Sequence, residues 1–219
     1  MPTFAVSKTP ELEYFYKALT SNTITKMSDG RIPKMTPEQA SGLIGSWIVE
    51  TGNPKLQNLD VVERGAGAGR GLSQYTGARR DAYDRARAIA ITRGEDVNSP
   101  QWQLKYFAQE YKGQHDPAPG KSLIGWTRVF ESAPAKGSAA DFARYFTGSA
   151  ASGQGYFRPG VPHTESRAKA AQQVMSLYGT GRPAQVVPTQ KPAASPSPAP
   201  TAASQGTMNF FGLQIPKLF

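Results

Sequence analysis

The segment Thr36–Gly52, Thr-Pro-Glu-Gln-Ala-Ser-Gly-Leu-Ile-Gly-Ser-Trp-Ile-Val-Glu-Thr-Gly, limits what this chain can fold into more than any other stretch. It carries a complete set of helix signals. Thr36 can cap the N-terminus, Pro37 suits the first helical position, and Gln39 completes a capping box. Gly52 supplies a stop. At 100° per residue, Ala40, Leu43, Ile44, Trp47 and Ile48 fall on one apolar arc, with Glu50 at its edge beside Leu43. A carboxyl group in the last turn meets the negative end of the helix dipole and lies near apolar surface. Both effects favour the neutral acid, and a neutral carboxyl can donate a proton to a leaving group. The plain alternative is a helix whose final Glu points into water.

With 219 residues and 38% hydrophobic content, the chain can build one sizeable core plus an appendage. No apolar run is long enough to span a bilayer, and the N-terminus lacks the basic-then-apolar layout of a secretory signal. Synthesis in a cytoplasm is the expectation. The absence of cysteine excludes a disulfide framework and a thiolate metal site. His115 and His163 are isolated, so neither a zinc site nor any cofactor is expected. A net charge of +9 favours anionic partners: nucleic acid, phospholipid or an anionic cell wall.

Further helices are predicted from Thr9-Pro10-Glu11, carrying Leu12, Phe15, Tyr16 and Leu19; over Ala78–Thr92; from Ser99-Pro100 to Gly113; over Ser122–Glu131; after Ser138, with a capping box to Asp141; and over Thr164–Tyr178. Residues 21–34 read as a polar connecting loop. Residues 53–71, which hold Asp60, Glu63 and the run Gly65-Ala-Gly-Ala-Gly-Arg-Gly71, read as a long surface loop with at most a small hairpin. The expectation is a mainly α domain of about seven helices.

The glycine run does not give G-x-G-x-x-G and no Walker lysine follows it, so it is not a phosphate loop. It reads as backbone that lies close to something. Gly71-Leu-Ser-Gln-Tyr75 is not a nucleophile elbow, because Tyr75 stands where the second glycine belongs. Arg79, Arg80, Arg85, Arg87 and Arg93 could grip phosphates, but Asp81 and Asp84 interleave them as on a solvated face, and nucleic acid is not the expected partner.

The order of parts is more informative than any one of them. Gly42-Leu-Ile-Gly-Ser46, then Glu50-Thr51, Asn53-Pro54, Arg70-Gly-Leu-Ser-Gln-Tyr-Thr-Gly77 and Arg79-Arg-Asp-Ala82 follow one another. Gln103-Leu104, Tyr106-Phe107, Glu110-Tyr111, Ala143-Arg-Tyr-Phe146 and Phe157-Arg-Pro-Gly160 before Arg167 come after. In this order the chain resembles phage tail lysozyme domains of the lysozyme-like superfamily, over about Thr36 to Gly179. Thr51 replaces the family's Ser and Tyr75 its Trp, and Phe157 stands where the family often has Glu.

The resemblance implies a lysozyme-like helical domain at residues 36–179; the helix and loop read at 1–35 lie outside it. It implies a virion-associated enzyme, made in the host cytoplasm, that breaches the bacterial wall by cutting the β-1,4 bond between N-acetylmuramic acid and N-acetylglucosamine. Glu50 would be the general acid. Thr51, Gln74 and Tyr75 would line the cleft, Asp60 would hold water or line it too, and the glycine run would approach the glycan. The motif leaves three alternatives open: hydrolysis, a lytic transglycosylase using the same Glu50, and a non-catalytic virion protein on a lysozyme-like scaffold. Glu50 placed far from any groove, or locked in an ion pair with an arginine, would count against the enzyme assignment and leave the order of motifs as a relic of ancestry.

Residues 180–207 alternate Pro with Ala, Ser, Thr and Gln, and are expected to form a disordered, extended tether. Residues 208–219 turn apolar again. Phe210, Phe211, Leu213, Ile215, Leu218 and Phe219 are expected to dock on another virion protein. Deletion of residues 208–219 should leave the domain's melting temperature unchanged and abolish assembly with that protein. A drop in melting temperature would mean that the tail instead packs on its own domain.

Overall fold

A computed structural model describes residues 4–62, 69–111, 129–148, 155–157, 159 and 163–179. Contacts divide the chain into units at Met1–Ala184 and Gln185–Phe219, and every described residue lies in the first. The tether and docking peptide fall outside the described residues, as do most of the glycine run and the helix expected over Ser122–Glu131, of which only 129–131 are seen, as helix.

Seven helices are described: α1 Pro10–Leu19, α2 Asn22–Met27, α3 Pro37–Thr51, α4 Gly77–Thr92, α5 Pro100–Tyr111, α6 Ala139–Thr147 and α7 Thr164–Tyr178. The fold is mainly α. Extended pairing among the described residues is limited to isolated antiparallel bridges, Val62 to Arg70 and Arg70 to Tyr75.

The cap chemistry forms as expected. Thr36 accepts from the Gln39 amide while the Gln39 side chain accepts from the Thr36 amide, and Gly52 ends α3 at φ +62°. Ser138 and Asp141 repeat the box at α6. Residues 21–34 are not all loop. Ser21 caps the short helix α2, which buries Ile24. The Ser28 hydroxyl donates to the Ile24 carbonyl and accepts from the Ile32 amide, bringing a second isoleucine into the core. A six-residue helix with one buried apolar side chain leaves no periodicity to read.

α3 is the centre of the packing, and it is buried on more sides than its apolar arc alone implies. Every residue from Ala40 to Ile48 is buried. The arc faces the aromatic core, where Trp47 meets Phe15 and Phe107. The small residues of α3 face α6 and α7. A Cβ on Gly42 would stand 2.6 Å from Phe142 Cβ, and one on Gly45 would stand 2.6 Å from Ala171 Cα. The contacts Ser41 to Met175, Gly45 to Ala171 and Glu50 to Arg167 run in opposite directions along the two chains, so α3 and α7 cross antiparallel.

α1 belongs to this core through Leu12, Phe15 and Leu19. The residues before it are tied to α7. The Val6 amide donates to Gln173 Oε1 at 2.8 Å, Gln173 Nε2 donates to the Phe4 carbonyl, and Tyr16 stacks on Tyr178.

Gly→Ala inside a helix normally stabilises by about 0.5–1 kcal/mol. Gly45→Ala should do the reverse, costing about 1–3 kcal/mol, because the backbone of α7 has to retreat. Thermal or urea unfolding checks the sign. A neutral or stabilised variant would mean that α3 and α7 are not in backbone contact there.

Candidate active site

Gly52 ends α3 and so leaves Glu50 in its last turn. The Glu50 side chain is 16% exposed, and its Oε1 accepts from an Arg167 guanidinium nitrogen at 2.6 Å. Arg167 is itself buried. It lies over the Phe157 ring at 5.0 Å and donates to the Ser46 carbonyl. This ion pair corrects the neutral-acid argument and is the observation that counts against an enzyme. The helix terminus and burial disfavour charge on Glu50, but a guanidinium in direct contact favours the carboxylate and opposes both. Phe157, where the resemblance expects Glu, provides the hydrophobic bed for that arginine.

The Gly71–Tyr75 segment is a tight turn closed on itself. The Arg70 amide donates to the Tyr75 carbonyl at 3.1 Å and the Tyr75 amide to the Arg70 carbonyl at 2.9 Å. Gly71 has φ +77°, and a Cβ there would meet the Tyr83 ring at 2.7 Å. A Cβ on Gly69 would meet the Gln74 carbonyl oxygen at 2.7 Å. The glycine run does lie close to something at these two positions, where the neighbours are Gln74 and Tyr83. The turn is docked on α3 by a hydrogen bond from Trp47 Nε1 to Ser73 Oγ at 3.0 Å, one helical turn before Glu50.

Gln74 sits at φ +45°, a left-handed conformation that costs a side-chain-bearing residue energy. Its Nε2 donates to the Gly71 carbonyl at 3.0 Å, and its Oε1 is buried without a hydrogen-bond partner among the described residues. Backbone strain and an unsatisfied buried acceptor thus coincide in one residue. The Thr51 hydroxyl is half-buried and donates to the Trp47 carbonyl at 2.8 Å.

Two expected cleft residues are engaged elsewhere. Tyr75 is 0% exposed and cannot present its ring to a sugar. It stacks on Tyr83 at 5.2 Å, with the Arg79 guanidinium over it at 4.8 Å. Asp60 is not free to hold water. Oδ1 accepts from Arg70 Nε at 2.8 Å and Tyr83 Oη at 3.0 Å, while Oδ2 accepts from Arg70 at 3.0 Å and Arg87 at 2.5 Å. Removing one partner of a buried ion pair costs about 3–5 kcal/mol, which marks Asp60 as a structural anchor. Tyr83 accepts from Gln103 Nε2, and Gln103 Oε1 accepts from the Leu72 amide, so Asp60 helps hold the turn from behind. The grooves bounded by Trp102 and Ile89, by Gln172 and Val6, and by Thr36 and Lys34 lie elsewhere on the unit.

A family model for phage tail lysozyme matches residues 22–178, well over half of the chain. The chain belongs to the phage tail lysozyme family. That family is one of virion-associated, lysozyme-like peptidoglycan hydrolases. The match takes in α2 and so begins earlier than Thr36. No curated protein and no solved structure matches the chain significantly.

The resemblance to phage tail lysozymes includes Gln103, Glu110 and Arg167 without giving them roles; their partners in the fold do. Around the turn lies a dense aromatic cluster: Tyr75, Tyr83, Trp102 and Tyr106 pack edge-on or stacked. Burial raises the phenol pKa of Tyr75, Tyr83, Tyr106, Tyr111 and Tyr156 above the ordinary value. Burial works against the charge on Arg79, but Glu110 beside it more than offsets this and holds the guanidinium above its usual range. For the tyrosines the folded pKa is the higher one. Their contribution to stability is present below the ordinary phenol range near pH 10 and is lost as pH rises above it. In an alkaline titration these five phenols should therefore gain phenolate absorbance only together with loss of helical circular dichroism. Ionisation at ordinary pH in the folded protein would contradict their burial.

Proposed function

We propose that this phage tail lysozyme cuts the β-1,4 bond between N-acetylmuramic acid and N-acetylglucosamine, with Glu50 delivering the proton to the leaving oxygen. The observation that carries the reading is the Trp47–Ser73 hydrogen bond, which joins the helix ending in Glu50 to the turn holding the strained Gln74. Family membership supplies the class of polymer. Gln74 and Thr51 would contact the glycan through amide and hydroxyl groups.

Arg167 bears on how the proton arrives. The Arg167 guanidinium orients the Glu50 carboxyl group and favours its charged form. To act as an acid Glu50 would take a proton from water, and a glycan group that draws the guanidinium away from it would remove the contact that favours the carboxylate. The residue is then an acid for the leaving oxygen and becomes a base once the proton is gone. A second reading draws on Asp60, whose oxygens are occupied by Arg70, Arg87 and Tyr83. Without that carboxylate, ring closure by the muramic acid's own hydroxyl needs only Glu50, and the product is that of a lytic transglycosylase. In either case the enzyme would act as part of the particle during infection, held there by residues 208–219. Its +9 charge would favour adhesion to an anionic envelope.

Purified protein should solubilise peptidoglycan, and Glu50→Gln should lose about 10²–10⁴-fold in rate while keeping its circular dichroism. Full activity in Glu50→Gln would remove Glu50 from the mechanism, and an inactive wild type would favour a non-catalytic virion scaffold. Mass spectrometry of the digest separates the two chemistries: reducing muramic ends mean hydrolysis, anhydro-muramyl ends transglycosylation.

A further inference from the structure

The Trp47–Ser73 contact is the first link of a longer buried chain. Ser73 Oγ lies 3.1 Å from Tyr156 Oη, and Tyr156 Oη lies 3.1 Å from Glu110 Oε2. Trp47 and Tyr156 are 0% exposed, Glu110 3% and Ser73 4%. Arg79 closes the far end, donating to Glu110 Oε1 at 2.5 Å, to Oε2 at 2.9 Å and to Tyr156 Oη at 2.9 Å.

The chemistry of the two ends sets the direction of every link. An indole nitrogen only donates, and a carboxylate only accepts. Glu110, paired with Arg79, takes the single Tyr156 proton. The Tyr156 oxygen can then only accept from Ser73. Ser73, having given its proton, accepts from Trp47. Along these links the donors point from α3 toward α5. Charge at one end strengthens the links behind it, because an ionised acceptor polarises the chain.

We propose that Ser73, Tyr156 and Glu110 are positioning residues that hold the Gly71–Tyr75 turn in register with the last turn of α3, so that Gln74 faces the bond on which Glu50 acts. The catalytic part of this inference rests on the function proposed above; the positioning part does not. Tyr156 is suited to the task because it arrives from a segment remote in sequence from both elements. Its amide is fastened to the Phe146 carbonyl at 2.8 Å, so the hydroxyl has a fixed origin. The turn is thereby held from α3 by Trp47, from α5 by Glu110, and from the chain beyond α6 by Tyr156.

The test uses Tyr156→Phe, which keeps the ring packing and deletes the oxygen, and Glu110→Gln, which keeps shape and removes the charge. Lys17→Gln, at an exposed site on α1, is the control. The Trp47 indole N–H resonance, recorded without substrate, should shift in Tyr156→Phe and Glu110→Gln and stay put in the control. On peptidoglycan, kcat should fall about tenfold or more in Tyr156→Phe with KM unchanged, as expected for loss of one hydrogen bond that orients the reacting groups. An unmoved indole signal in folded Tyr156→Phe would overturn the chain. A moved signal with unchanged kcat would overturn the catalytic role and leave a structural one. If the wild type is inactive, the proposed function fails, and the indole shift still decides whether the chain positions the turn.

Discussion

The close approach of α3 and α7 at Gly45 is the constraint on which the rest of this domain depends. Because neither a side chain nor a water layer separates Gly45 from Ala171, the next turn of α7 brings Arg167 over the Ser46 carbonyl and against Glu50. A helix pair one side chain further apart would leave a buried guanidinium with no carboxylate to meet. The expense of burying that charge is large, so the seam and the ion pair stand or fall together. The same seam turns the apolar arc of α3 toward the aromatic core, where Trp47 can reach Ser73.

Much of this was legible in the sequence where the chemistry is local. Thr36 with Gln39 and Ser138 with Asp141 are pairs three residues apart, the stop at Gly52 is a single residue, and each forms as read. The resemblance to phage tail lysozymes rested on the order of short motifs and was equally visible. What was not legible lies far apart along the chain. Arg167 is 117 residues from Glu50, and no local pattern tells that the two meet. Asp60 reads as a spare loop carboxylate until Arg70, Arg87 and Tyr83 converge on it. Tyr75 reads as an aromatic platform for sugar, but tertiary packing gives its two sides to Tyr83 and Arg79. The short helix α2 escaped notice because its burial amounts to Ile24.

A common logic links these corrections. The residues near the turn that look reactive in the sequence, Asp60 and Tyr75, are spent on holding it. Gln74 combines a left-handed backbone with an orphaned side-chain oxygen. Rigid support beneath a strained element is what a preorganised site requires, since a displacement of about 1 Å in a reacting group can cost a hundredfold in rate. Two buried polar assemblies supply that support, one through Asp60, Tyr83 and Gln103, the other through Ser73, Tyr156 and Glu110.

The fastening of residues 4–9 to α7 has a consequence for biosynthesis. Phe4 and Val6 share the amide of Gln173, Thr9 meets the Tyr178 hydroxyl, and α3 takes its main support from that same final helix. As the polypeptide leaves the ribosome, residues 4–9 and α3 have to wait for α7 before they can close on it. A nascent chain stopped short of α7 would expose the bare glycine face of α3 and the leading strap together. The packing described here is therefore complete only once α7 has cleared the exit tunnel.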